Sequence, residues 1–351
     1  MQVTPKQAEK LVEYSIQTRR SLLLVGPPGI GKSEIIEAVT RRLNVKLIYC
    51  HAAVHEPTDF RGLGVVVPGN PPSAEWIPFG TLKQLCDVSE PTVAFFDDLG
   101  QAPEAVQTAL MQLLQARRIG EHRISDQVTF LAATNRRRDK AGVHGIITAI
   151  QSRFRTIVEL VPDVDDWCQW AIREGLPATG VAFVRMRPNY LTDCAKNDFR
   201  PSAEIQNDPR PRTVTEALRH ELECERLGLG DEILLPLMAG AAGDAFAVEY
   251  MAFRKLAKSL PDPVAILMAP DTAPTPDMSK PEGPGLAYAV ALALGRIINE
   301  ASMANALRYL SRLGQAEYEA VCLKAAIARD SSLASAPTFL SWAADNADLI
   351  L

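Results

Sequence analysis

"LLLVGPPGIGKSEII", residues 22–36, passes from an apolar run through a loop of glycine and proline into a lysine, a serine and a helix-like pattern. Glycines at Gly26, Gly29 and Gly31 let main-chain N–H groups turn inward around an anion with no Cβ in the way. Their spacing is G-x-x-x-x-G-K-S. Upstream, Ser21 to Val25 suits a buried parallel strand; downstream, Ile35, Val39 and Leu43 recur at helical spacing. Strand, loop and helix together form the setting in which such a loop cradles phosphates, whereas an ordinary Gly-Pro turn needs neither the lysine nor the hydroxyl. Gly26, Pro27, Pro28, Gly29, Ile30, Gly31, Lys32, Ser33 and Glu34 are therefore the candidate phosphate-binding residues. Lys32 would reach the β and γ phosphates, Ser33 would hold a magnesium ion, and the helix N-terminus would add partial positive charge.

A phosphate loop of this kind calls for an apolar strand that ends in a carboxylate beside the magnesium site. "TVAFFDD" supplies it: Thr92 to Phe96 forms the strand and Asp97 stands at its C-terminal end, the edge where open α/β sheets bind ligands. Asp97 is the second magnesium candidate. Asp98, the next residue, occupies the place of a water-activating carboxylate. A third strand, "QVTFLAATN", ends in Thr134 and Asn135, and a polar terminus there can orient the attacking water. With Lys46 to Cys50 and Thr156 to Leu160, the runs predict a five-stranded parallel sheet.

These motifs, in this order, resemble the AAA+ ATPases, and within them the MoxR and related dynein-like branch. "GPPGIGKS" is similar to the Walker A pattern and "VAFFDD" to the Walker B; Asn135 falls at the sensor 1 position. "SRF" falls at the arginine-finger position, which gives Arg153 the role of entering a neighbouring subunit's site, with Arg155 as the alternative. Two insertions agree with the branch. "DFRGLGVVVPGNPPSAEWIPFGTL" reads as a hairpin resembling the helix-2 insertion, with Asp59 and Gly62 in its D-x-x-G element. A second hairpin, around "RRIGEHRISDQV", sits where the branch carries its pre-sensor-1 insertion. The sequence departs from the family at Asp98, where glutamate is usual: the shorter side chain leaves the carboxylate about 1.5 Å short, so hydrolysis is expected to be modest.

The resemblance implies a fold and a division of the chain. Residues 1–161 would form the α/β nucleotide-binding core with its two hairpins, 162–227 a helical lid, and 228–351 a helical C-terminal domain. "DVDDWCQWAIREG" opens the lid with acidic residues in its first turn, as the helix dipole favours. In "NDFRPSAEIQNDPRPRTVTEALR" the "PRT" element places Arg212 at the sensor 2 position, with Arg210 and Arg200 as competitors. Beyond 228, "ALRYLSRL" and "AEYEAVCLKAAI" are amphipathic and Pro261 to Pro284 is a proline-rich connector.

Composition narrows the classes. The 351 residues are 47% hydrophobic and carry a net charge of −5, so nucleic-acid binding would need a local patch, for which Arg136, Arg137, Arg138 and Lys140 are the candidates. The six cysteines show no C-x-x-C pairing and read as reduced thiols, and the five histidines are too dispersed for a metal site. "TPKQ" at the start reads as a helix cap, with Thr4 as cap and Pro5 in the first turn. With no apolar span of membrane length, the expectation is a soluble cytoplasmic protein.

Taken together, the resemblance implies a homo-oligomeric, hexameric ATP hydrolase with ATP and Mg2+ as cofactors. It would remodel or mature a protein partner in chaperone fashion, and the branch commonly acts with a von Willebrand factor A domain. The alternatives are a nucleic-acid motor or loader, and a slow nucleotide-gated binding switch, which Asp98 keeps open.

Overall fold

A computed structural model describes residues 1–349 apart from 70, 120–121, 140–144 and 197–204. Six parallel strands form one sheet: β1 (Gln2–Val3), β2 (Leu22–Gly26), β3 (Lys46–His51), β4 (Thr92–Asp97), β5 (Val128–Asn135) and β6 (Thr156–Leu160), in the order β1-β6-β2-β5-β4-β3. Strands β4 and β5 are buried on both faces throughout, and both read as unbroken apolar and β-branched runs. The order is set by crossovers, because parallel neighbours cannot be joined by a tight turn.

The sheet has one strand more than the five the apolar runs predict. Val3 pairs with Leu160 at the sheet edge. A two-residue strand leaves no periodic signal, but its cause is local. Thr4 precedes a proline and so adopts extended backbone, φ −79° and ψ 165°. Its hydroxyl accepts a hydrogen bond from the Gln7 amide while the Gln7 side chain accepts one from the Thr4 amide. The chain is thus held straight until the helix Pro5–Thr18 begins.

Each face of the sheet is covered by helices. Val12 of that first helix and Ile36 and Val39 of the helix Lys32–Arg42 pack on Leu22, Leu24, Phe95 and Leu131. On the opposite face Phe60, Leu82, Leu85, Leu110 and Leu113 pack on Leu23, Ile48, Phe96 and Phe130. Both expected hairpins form, Leu63–Val67 with Ser73–Ile77 and Arg118–Ile119 with His122–Arg123. They touch each other: the His122 ring Nε2 lies 2.6 Å from the Trp76 carbonyl oxygen.

The chain separates into two compact units. One holds Met1–Asp163 together with Ala195 and Lys196; the other begins at Val164. The second unit is helical, and a single apolar core runs through it from Trp167 to Trp342. Its helices approach closely where side chains are small: a Cβ on Gly295 would lie 2.6 Å from the Cys322 carbonyl oxygen. Among the described residues, no helix is long and apolar enough to cross a membrane.

Candidate active site

The parallel order brings the C-terminal ends of β2, β4 and β5 side by side, so residues far apart in sequence meet at one edge. Gly26 pairs with Asn135 across the sheet, and His51 of β3 pairs with Asp97 of β4. From Gly26 the chain leaves β2 and turns into the helix that starts at Lys32. Gly29 and Gly31 sit at φ 75° and 99°, backbone that glycine adopts without strain, and a Cβ on Gly26 would lie 2.9 Å from the Leu160 carbonyl oxygen. Ile30 is buried and anchors the loop in the core, while Glu34 is exposed on the first helical turn.

Lys32 is held inside the loop. Its ammonium donates to the carbonyl oxygens of Gly26 at 3.1 Å and Pro27 at 3.0 Å, and to Asn135 Oδ1 at 2.8 Å. All three donors are thus taken by neutral oxygens. Burial lowers its pKa from 10.5 to about 8, against the opposing pull of Asp98 and Asp97. This is a cation short of negative charge. A phosphate at the loop would supply it.

Ser33 Oγ donates to Asp97 Oδ2 at 2.7 Å, which places a hydroxyl and a carboxylate at the start of the helix. Hard oxygen donors of this kind fit a magnesium ion, which takes few protein ligands and keeps the rest of its shell for water and phosphate. Asp97 is further held by the Asp98 amide, 2.9 Å from Oδ1, and by the Tyr49 hydroxyl, which donates to Oδ2. Burial and then the Asp97 hydrogen bond push the Tyr49 phenol above its ordinary pKa, so it remains a donor.

Asp98 has φ 50° and ψ 37°, a left-handed conformation that aspartate tolerates better than most residues. This turn swings its carboxylate back towards the sheet edge. Asn135 Nδ2 lies 3.4 Å from Asp98 Oδ1, and His51 Nε2 lies 3.9 Å from Oδ2. Behind it the Gly100 amide donates to Thr134 Oγ1 at 3.1 Å. Lys32, Ser33, Asp97, Asp98 and Asn135 therefore share one site.

The remaining arginines stand elsewhere. Arg153 is half-buried after the short helix Thr148–Gln151; its guanidinium donates back to the Ala149 carbonyl oxygen and to Ser152 Oγ at 3.1 Å. Its Nε is a buried donor without a hydrogen-bond acceptor. Arg155 is exposed. In the helical unit Arg212 is exposed in the first turn of the helix Pro211–Leu227, whereas Arg210 is paired with Asp208 at 3.6 Å. Arg200 lies outside the described residues, as does Lys140 of the basic run. Within that run, Arg136 is buried against Asp139 at 2.7 Å and Arg138 pairs with Glu159 at 2.9 Å.

Tyr49 and His51 are site residues that the motifs do not indicate. Both lie on the edge strand, two residues apart and hence on one face. Only the register of β3 against β4 shows that this face meets the acidic pair.

Residues 21–154 match the model of the AAA domain, dynein-related subfamily. Among solved structures the chain is similar to the Thermotoga maritima RuvB Holliday junction branch migration motor, at 15% identity and a TM-score of 0.39, covering 88% of this chain and 87% of that one. A variant of the same RuvB gives 16% identity and a TM-score of 0.42 over 88% and 87%.

Proposed function

We propose that this chain, which carries an AAA domain over residues 21–154, is a MoxR-like ATPase that acts in an oligomeric ring to remodel or mature a protein partner. The convergence of Lys32, Ser33, Asp97, Asp98 and Asn135 at one sheet edge carries this reading. Main-chain amides of the loop and the Lys32 ammonium would bind the phosphates. Ser33 and Asp97 would hold the magnesium ion, which when bound neutralises charge on the phosphate oxygens. Asp98 would take the proton of the attacking water, and Asn135 would orient that water from the neighbouring strand. Arg153 of an adjoining copy would complete the site, which makes assembly into a hexameric ring a condition of turnover. Arg212 would contact the γ phosphate from a lid of residues 162–227, leaving residues 228–351 to choose the partner.

The hairpins bear on the kind of client. Leu63, Val66, Trp76 and Ile77 are exposed on the first one, whose sequence from 63 to 77 contains Glu75 and no lysine or arginine. A largely apolar hairpin with no basic residue suits a protein surface better than a phosphate backbone. The paired state of Arg136 and Arg138 takes further support from the nucleic-acid reading. A partner with a von Willebrand factor A domain is the client the MoxR resemblance favours.

Steady-state hydrolysis by the assembled protein is the test, with Lys32→Ala as control. Magnesium-dependent turnover is expected to exceed the control, and the reading falls if the two are equal. Asp98→Glu then separates a modest hydrolase from a gated switch: a large gain in turnover with unchanged partner binding favours the switch. For the partner, Asp98→Asn protein with ATP is expected to retain a purified von Willebrand factor A domain, and absence of retention removes that client.

A further inference from the structure

Asp97 receives three donors, and one of them has no place in the motif that identified the site. Ser33 Oγ and the Tyr49 hydroxyl both bond to Oδ2, while the Asp98 amide bonds to Oδ1. Tyr49 is itself fixed. Its ring stands edge-on to Phe95 at 5.2 Å, and Phe95 is its partner in the parallel register of β3 and β4. Strand pairing and a ring contact therefore aim the phenol at the carboxylate.

The consequence follows from what Ser33 must do when a cation is present. Its hydroxyl must offer the metal a lone pair, and to the extent that it turns to do so its hold on Oδ2 weakens. What then keeps the Asp97 carboxylate from rotating about its terminal bond is the Asp98 amide on one oxygen and the phenol on the other. A carboxylate ligand that is oriented by such outer partners binds metal more tightly than one left free, and loss of the partner typically costs 10- to 100-fold in affinity.

We propose that Tyr49 is a positioning residue for the divalent cation, acting through Asp97 and deciding how much Mg2+ the nucleotide site needs. The inference rests on the reading of Ser33 and Asp97 as a magnesium-nucleotide site. Tyr49→Phe is the variant of choice because it keeps the ring against Phe95 and removes the hydroxyl alone.

The experiment is equilibrium binding of a fluorescent ATP analogue to the full chain across a magnesium titration, starting in chelator, with melting temperature recorded in parallel. For Y49F, the magnesium concentration that gives half of the metal-dependent gain in affinity is expected to rise about tenfold. Affinity in chelator and melting temperature should match the native protein, which a merely structural role for the hydroxyl would not predict. A magnesium midpoint unchanged in Y49F, beside a clear metal dependence in the native protein, overturns the role of Tyr49 and leaves the site reading intact. Failure of the native protein to gain affinity with magnesium, or gain equal to that of Lys32→Ala, removes the site reading and the Tyr49 inference with it.

Discussion

Two cations, one in each unit of the chain, are buried almost completely and treated in opposite ways. Lys32 in the α/β unit is 7% exposed and is held by two carbonyl oxygens and an amide oxygen. Arg254 in the helical unit is 5% exposed and is ringed by carboxylates: Glu221 on Nε, Asp231 on Nη1 at 2.8 Å and Glu225 on Nη2 at 3.3 Å. Burial lowers the Lys32 pKa to about 8. Burial also pulls Arg254 down, but the hydrogen bonds and charges of Glu221 and Asp231 outweigh it and raise the pKa above the ordinary value. A buried charge whose counter-charge is built in serves the fold. One that bonds only to neutral oxygens, its nearby carboxylates too weak to offset burial, is a site suited to an anion.

The comparison is most easily broken at Arg254. Glu221 is 3% exposed and also accepts from Tyr250, so Arg254→Ala leaves a carboxylate in the core with its cation gone. Removing one partner of a buried pair is strongly destabilising, and a loss of about 3–5 kcal/mol is expected. Trp167, Trp170 and Trp342 lie in the helical unit and Trp76 is half-exposed in the other, so tryptophan fluorescence during urea unfolding, read in a Trp76→Phe background, reports on the helical unit. A loss under about 1 kcal/mol would mean that the ring of carboxylates is ornament, and that the two buried cations do not differ in kind.

Lys32→Met tests the other side and is expected to act in the opposite direction. A fall in pKa from 10.5 to about 8 corresponds to on the order of 3 kcal/mol of penalty for keeping the ammonium charged in the folded, nucleotide-free state. The variant should therefore be more stable than the native protein at neutral pH while losing nucleotide binding. The sign with pH follows from linkage: between about 8 and 10.5 the unfolded chain holds a proton that the fold does not, so native stability rises with pH across that window. Below pH 8 the penalty is present in full. Hydrogen exchange of the β2 and β5 amides should show the native protein gaining on the variant across this window, whatever slope the raised Cys50 and Tyr49 groups give to both; a constant difference would remove the assignment to Lys32.

What could be read in advance follows the same division. Gly26, Lys32, Ser33, Asp97 and Asn135 were legible because each stands at the end of an apolar run, and parallel strands bring such ends to one edge. Tyr49 was not, because its place beside Asp97 depends on which strand lies at the sheet edge and in what register. The strand Gln2–Val3 is too short to show a period. The withdrawn charge of Lys32 depends on burial, which no motif states. In the helical unit Glu221 and Arg254 are 33 residues apart on different helices and read as ordinary polar positions until packing makes them neighbours. Arg153 and Arg212 were assigned by resemblance, and their roles depend on groups that their own units do not supply.

The smallest expected effect sharpens the comparison from within a single guanidinium. Glu225 bonds Arg254 at 3.3 Å, but its side chain is 56% exposed, so water already screens and solvates it. An exposed ion pair contributes about 0–1 kcal/mol, and Glu225→Gln should change stability by no more than that, since the amide oxygen can still accept from Nη2. Glu221→Gln, at the same guanidinium but in the core, should lose more. Denaturation of the two variants side by side separates charge from position. Equal losses would show that Arg254 answers to total negative charge around it, and the contrast with Lys32 would then be one of number of carboxylates. Unequal losses in the expected order show that a carboxylate bonded directly to the cation in the core is what makes it part of the fold, whereas Lys32 bonds to neutral oxygens and is left available to a phosphate.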